Sequence, residues 1–178
     1  MPLVMFVDGS LTSSGIAIGE VTFKELPTIL HIERLKTSDK NPLELRLKTI
    51  YERITALLKE YKVEQLIMED KFVGKNSKIA IKIGQADGII KLAGAMFGIK
   101  VGLLAPSTIK IAITNFAHAT KEDVMIAVNV KFCDQPIVPK HIKPGSIGKK
   151  GVSKQDDMAD AVAGLYTYAM EPEKVQVA

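Results

Sequence analysis

Two short, mostly apolar runs that each end on an acid constrain this chain more than any other feature. Residues 3–7 (LVMFV) run into Asp8, and residues 63–68 run into Glu69. Runs of this length and content read as buried strands. Asp8-Gly9-Ser10 then makes a turn. An acid at the end of a buried strand is costly unless it is paired or binds a cation. The chain is therefore expected to place two carboxylates at one edge of a sheet.

The remaining pattern supplies that sheet and its cover. Residues 15–21 (GIAIGEV) and 29–35 (ILHIERL) read as two more strands, completing a meander with the first, and residues 99–104 read as a fifth. Asn41 as N-cap and Pro42 in the first turn open a helix. In it Leu43, Leu47, Ile50, Ile54, Leu57 and Leu58 recur at helical spacing. Residues 76–97 form a helix with two apolar faces. Ile79, Ile83, Ala86, Ile90, Ala93 and Phe97 lie on one; Ile81, Gly84, Gly88, Leu92 and Ala95 lie on the other. One face can cover the sheet, and the second asks for another helix or a second subunit. A short helix spans 106–114, Thr120 caps a helix over 121–132, and a last helix covers about 155–170. The tail after Pro172 is expected to fray. The order predicts one α/β domain with a five-stranded mixed sheet flanked by helices.

Charge points to a polyanionic partner. The net charge is +4, and the sequence pI is about 9.0. Residues 134–154 read as a flexible basic insertion, rich in Pro and Gly, that carries Lys140, His141, Lys143, Lys149, Lys150 and Lys154. Apolar runs break well before the ~20 residues needed to span a bilayer. The N-terminus reads as a strand, without the basic region and cleavage site of a signal peptide. Cys133 stands alone, which excludes an intrachain disulfide or thiolate zinc site. It reads as a small buried hydrophobe, and the whole fits a reducing cytoplasm.

Asp157 and Asp160 complete the acidic set. They are three apart on the last helix, so they project from one face. Ala161 and Gly164 on that face would let the helix lie close to the sheet. Asp156 reads as an ordinary acid at a helix N-terminus. Taken singly, Asp8 is also a turn former, Glu69 a surface acid and Asp157 a helix-start acid. Together, in β-β-β-α-β-α-β-α order, they favour convergence. Their mutual repulsion then calls for cations, and hard oxygen ligands suit Mg²⁺ or Mn²⁺.

The chain resembles the RuvC-type Holliday junction resolvases of the ribonuclease H-like superfamily. The resemblance runs through Asp8 and the following Gly9-Ser10-Leu11-Thr12-Ser13-Ser14-Gly15, and through Met68-Glu69-Asp70-Lys71-Phe72. It continues from Lys75-Asn76 to Gly84-Gln85-Ala86-Asp87-Gly88, then through 106–110 and Thr120-Lys121 to Asp157-Met158-Ala159-Asp160-Ala161. It implies a ribonuclease H-like fold and two-metal hydrolysis of branched DNA, above all four-way junctions, by paired nicks. Asp8, Glu69, Asp157 and Asp160 would hold two Mg²⁺ ions, with Mn²⁺ as a substitute. Lys110 and Lys121 would act on the scissile phosphate. Phe72 would stack on an unpaired base. Lys71, Lys75, Lys78 and Lys82, with Lys140, Lys143, Lys149 and Lys150 in the insertion, would contact phosphates. A homodimer would place two nicks symmetrically.

Bacterial members usually have D-P-G at the first motif, where this chain has Asp8-Gly9-Ser10, and a shorter, less basic loop before the last helix. Both departures suggest a divergent, phage-type member. They weigh against a branch-migration helicase partner and strict cleavage-sequence preference. Two rivals are an actin-like phosphotransferase, which needs a second lobe absent from this pattern, and a non-catalytic branched-DNA-binding protein, which has no use for four converging acids.

Overall fold

The computed structural model describes residues 1–71, 77–135 and 156–178, with the backbone alone for 77–79. Strands β1 (Leu3–Asp8), β2 (Ser13–Glu20) and β3 (Thr28–Lys36) form the expected antiparallel meander. Helix α1 (Leu43–Glu60) leads to β4 (Gln65–Glu69), and α2 (Ser77–Met96) leads to β5 (Val101–Leu104). Helices α3 (Pro106–Thr114), α4 (Lys121–Lys131) and α5 (Asp156–Met170) follow, and β6 (Gln176–Val177) ends the chain.

The sheet has six strands in the order β3-β2-β1-β4-β5-β6. Strands β4 and β5 run parallel to β1, and β6 runs antiparallel to β5. The expected count of five is therefore corrected. The tail does not fray: Gln176 and Val177 pair with Leu103 and Gly102 and occupy the open edge of β5. Two residues are too few for alternation to show in a sequence, and an unpaired edge is a ready template.

Alternation along β1 splits the core in two. Val4 and Phe6 pack with α3, α4 and α5, whereas Met5 and Val7 pack with α1 and α2. In β4, Ile67 joins the first layer and Leu66 and Met68 the second. Carried one step further, the same period turns Asp8 and Glu69 toward α5. The parallel register pairs Val7 with Met68, which sets the two acids side by side at the carboxyl ends of neighbouring strands.

Helix α5 reaches them because small residues let it sit low. A Cβ on Gly15 would lie 1.8 Å from the carbonyl oxygen of Asp157, and one on Gly164 would lie 2.2 Å from the ring of Phe6. The expected close approach through Ala161 and Gly164 is present. Thr120 caps α4 with a full capping box, its side chain accepting from the Asp123 amide while Asp123 accepts from the Thr120 amide.

Three local expectations are corrected. Pro42, not Asn41, is the N-cap of α1, and no side chain caps it. Cys133 is exposed, because Phe132 takes the buried position at the end of α4. Phe97 is exposed because α2 ends at Met96 and the chain turns away through Gly98, whose φ is +67°. On α2 itself, Ala86, Ile90 and Ala93 are buried, while Ile81, Leu92 and Met96 are exposed and a Cβ on Gly84 or Gly88 would meet nothing among the described residues.

The tight seat of α5 yields a stability prediction. Gly164→Ala should cost about 1–3 kcal/mol, because the fully buried Phe6 ring has nowhere to retreat. Thermal denaturation checks this, and an unchanged melting temperature would contradict the packing described.

Candidate active site

Asp8, Glu69 and Asp160 line one pocket of about 430 Å³ together with Lys71, Lys110 and Lys121. Phe6, Ile83, Ile109 and Val124 supply apolar wall. Each polar group arrives from a different element: β1, β4, α5, the segment after β4, α3 and the first turn of α4. Arg46, buried on α1, fixes the turn that follows Asp8. It donates to the Leu11 carbonyl at 3.1 Å, to Thr12 Oγ1 at 3.0 Å and to Thr37 Oγ1 at 2.9 Å.

The acids are held close enough to resist ionising together. Burial, then the Asp8 carboxylate, pushes Glu69 up to about 8. Burial and Asp8 likewise push Asp160 up to about 7. Lysines partly offset this repulsion. Lys71 Nζ lies 2.5 Å from Asp8 Oδ1 and 3.9 Å from Glu69 Oε2, and it donates to the Gly9 carbonyl. Lys71 and Asp8 thus form a close ion pair, and among the described residues no aligned hydrogen bond reaches Asp8 Oδ1. Lys121 Nζ lies 2.8 Å from Asp156 Oδ2 and 3.9 Å from Asp160 Oδ2.

Asp157 stands apart from this pocket. Its Oδ2 accepts from Ser13 Oγ and from Arg34 Nε, the latter at 2.9 Å. Ser13 and Arg34 lie on β2 and β3 beside Gly15, so the pair fastens the first turn of α5 to the meander. Among the described residues no three acids converge tightly enough to form a finished ion cage. The donor set nevertheless suits a hard cation. It offers a buried Asp8 carboxylate, ion-paired to Lys71 but without an aligned hydrogen bond among the described residues, and two neighbouring carboxyls that resist ionising together.

Comparison with known proteins places the chain in a family. Residues 4–143 match the family model for the crossover junction endodeoxyribonuclease RuvC. The RuvC of Desulforamulus reducens is 33% identical over 135 residues, covering 76% of this chain and 74% of that one. The chain belongs to the RuvC family. A second RuvC relative, from Dictyoglomus thermophilum, is 30% identical over 145 residues, 82% of each chain. In fold, the Thermus thermophilus RuvC structure superposes with a TM-score of 0.77 at 25% identity, over 99% of both chains. The structure of T. thermophilus RuvC in complex with Holliday junction substrate gives 0.82 at 24% identity, over 100% of both.

Within this RuvC fold the remaining sequence-derived residues divide clearly. Lys110 and Lys121 line the pocket, as their motif positions suggest. Lys82 lies outside it, exposed beside a separate shallow groove lined by Leu11, Leu43 and Ile81. Phe72 and Lys75, and Lys140, Lys143, Lys149 and Lys150 of the insertion, fall outside the described residues, as does the side chain of Lys78. Lys71 sits among the acids, whereas its sequence neighbourhood suggested a phosphate contact. Asp156, read as an ordinary helix-start acid, is buried and pairs with Lys121. Sequence reading also passed over Arg34, Ser13, Arg46 and Asp87. The last has a buried Oδ1 without a hydrogen-bond partner among the described residues, 3.1 Å from where a Cβ on Gly9 would stand. Its place in the stretch 84–88, common to the family resemblance, was the one available signal.

The raised carboxyls give a signed pH dependence. In the unfolded chain Glu and Asp ionise near about 4.3 and 3.9. The folded state therefore binds protons more tightly up to pH 7–8. The stability this adds is full below the unfolded values and is lost as pH rises through the folded ones. Without divalent ions, Glu69→Gln should melt higher than the unaltered protein at pH 8.5 and close to it at pH 4. A variant that melts lower at pH 8.5 would contradict the repulsion.

Proposed function

We propose that this chain is a metal-dependent, structure-selective endonuclease that resolves Holliday junctions by paired phosphodiester nicks. The observation that carries the reading is the meeting of Asp8, Glu69 and Asp160 with Lys110 and Lys121 in one pocket. A non-catalytic DNA-binding protein would have no reason to maintain such mutually repelling acids. The family is one of nucleases, and a relative of the same fold is described in complex with Holliday junction substrate.

Asp8, Glu69 and Asp160 would hold two Mg²⁺ ions, with Mn²⁺ as a substitute, and Asp157 would join them only on leaving Ser13 and Arg34. Ions so held supply an activated water and neutralise charge on the leaving oxygen. The residues do the rest. Lys110 and Lys121 orient the scissile phosphate and stabilise the charge that builds on it. Arg46 keeps the turn after Asp8 in place. Phe72 stacks on an exposed base, and Lys75, Lys78, Lys82 and the basic insertion track phosphates. All of this rests on one nuclease domain acting on branched DNA. Among the described residues no helix is long and apolar enough to cross a membrane.

Two active sites are needed for paired nicks. The exposed apolar side of α2, with Ile81, Leu92 and Met96 around the open Gly84 and Gly88, supports a homodimer. Leu92→Glu should yield a folded monomer in analytical ultracentrifugation. A variant that still sediments as a dimer would dismiss this face.

The activity is tested on a synthetic four-way junction with and without Mg²⁺. The protein should cut symmetrically with Mg²⁺ only. Asp8→Asn should bind the junction and leave it uncut. Undiminished cleavage by Asp8→Asn, or cleavage in the presence of a chelator, would overturn the proposal.

A further inference from the structure

Lys71 occupies an unusual place for a lysine beside a nuclease pocket. It does not point outward to DNA. Its side chain is only 18% exposed and its ammonium lies between two acids, 2.5 Å from Asp8 Oδ1 and 3.9 Å from Glu69 Oε2. A third contact, to the Gly9 carbonyl, holds it on the turn that follows Asp8. The other pocket lysines are engaged differently. Lys121 is paired with Asp156 and Asp160 on α5. Lys110 lines the pocket with no ion pair to these acids among the described residues. Among the described residues, Lys71 is thus the cation within ion-pair distance of both strand-end carboxylates.

We propose that Lys71 is a resident counter-ion that a divalent ion must displace from between Asp8 and Glu69, so that this lysine sets how much divalent ion the site requires. This rests on the reading of Asp8 and Glu69 as metal ligands. The ammonium and the metal compete for the same oxygens. An ammonium brings one charge and three donors on a flexible four-carbon stem, so it can withdraw. A hard divalent ion brings twice the charge and needs the carboxylate oxygens themselves. The contact with Asp8 is a close ion pair, with no aligned hydrogen bond among the described residues. Displacement therefore gives up the charge pairing with both acids and the one hydrogen bond to the Gly9 carbonyl. The residue also explains how adjacent buried acids are tolerated when no divalent ion is present.

The test is Mn²⁺ binding to the full-length protein at pH 8, read by electron paramagnetic resonance of the unbound ion. Lys71→Met and Lys71→Gln should bind Mn²⁺ roughly tenfold tighter or more, since a positive charge a few ångströms from the ion has gone. Lys71→Arg should not. Asp8→Asn, as control, should lose the site. A second measurement needs no variant. Amine acylation of Lys71, followed by mass spectrometry, should rise severalfold when Mn²⁺ saturates the unaltered protein. Loss of binding in Asp8→Asn together with no tightening in either neutral variant would overturn the role of Lys71 and leave the metal site standing. Unchanged acylation would overturn it equally. Absence of Mn²⁺ binding in every form would take down the metal reading and this inference with it.

Discussion

The seat of α5 on the sheet is the constraint on which the site depends. Side chains on the facing residues normally hold a helix off the sheet it covers. Here Gly15 and Gly164 remove the side chains that would hold α5 off, so the backbone of Asp157 rests against β2 and the helix lies directly over Phe6. One turn further along, Asp160 then comes down beside the acids that end β1 and β4. Arg34 and Ser13 fasten the start of α5 through Asp157. A helix set higher or rotated would take Asp160 out of the pocket while leaving the sheet intact. Fold and chemistry are joined at that contact.

The same geometry creates an electrostatic cost that the chain meets internally. Burial and mutual repulsion keep Glu69 and Asp160 protonated well above the usual carboxylate range. Among the described residues three cations are set against the acids, each from a different part of the chain. Lys71 serves Asp8 and Glu69, Lys121 serves Asp156 and Asp160, and Arg34 serves Asp157. The site is therefore neutralised in part before any metal arrives, which lets a stable fold carry a strongly acidic cluster. A metal that enters must replace some of these contacts. This is a general tension in pockets that bind hard cations, and here named lysines and an arginine carry it.

Much of this was legible in the sequence because it rests on short periods. The short apolar runs 3–7 and 63–68 mark the strands, and the acids that end them are read off directly. The three-residue spacing of Asp157 and Asp160, with Ala161 and Gly164 beside them, marks the docked face of α5. What escaped depends on register between elements distant in sequence. The pairing of Gly15 with Arg34 puts a guanidinium beside Asp157, and nothing local to any of these residues announces it. The inward turn of Lys71 depends on where the Gly9 carbonyl lies. The β6 pairing, two residues long, is below the length at which alternation carries information. The exposed face of Cys133 follows from where α4 stops, a boundary that propensity places loosely.

The central claim is that Asp8, Glu69 and Asp160 form one divalent-ion site. Anomalous scattering from crystals soaked in Mn²⁺, collected at the manganese edge, tests it most directly. The account predicts a strong peak within ligating distance of oxygens from Asp8 and at least one of Glu69 and Asp160. A peak elsewhere on the molecule, or none in this pocket with the ion in excess, would contradict it.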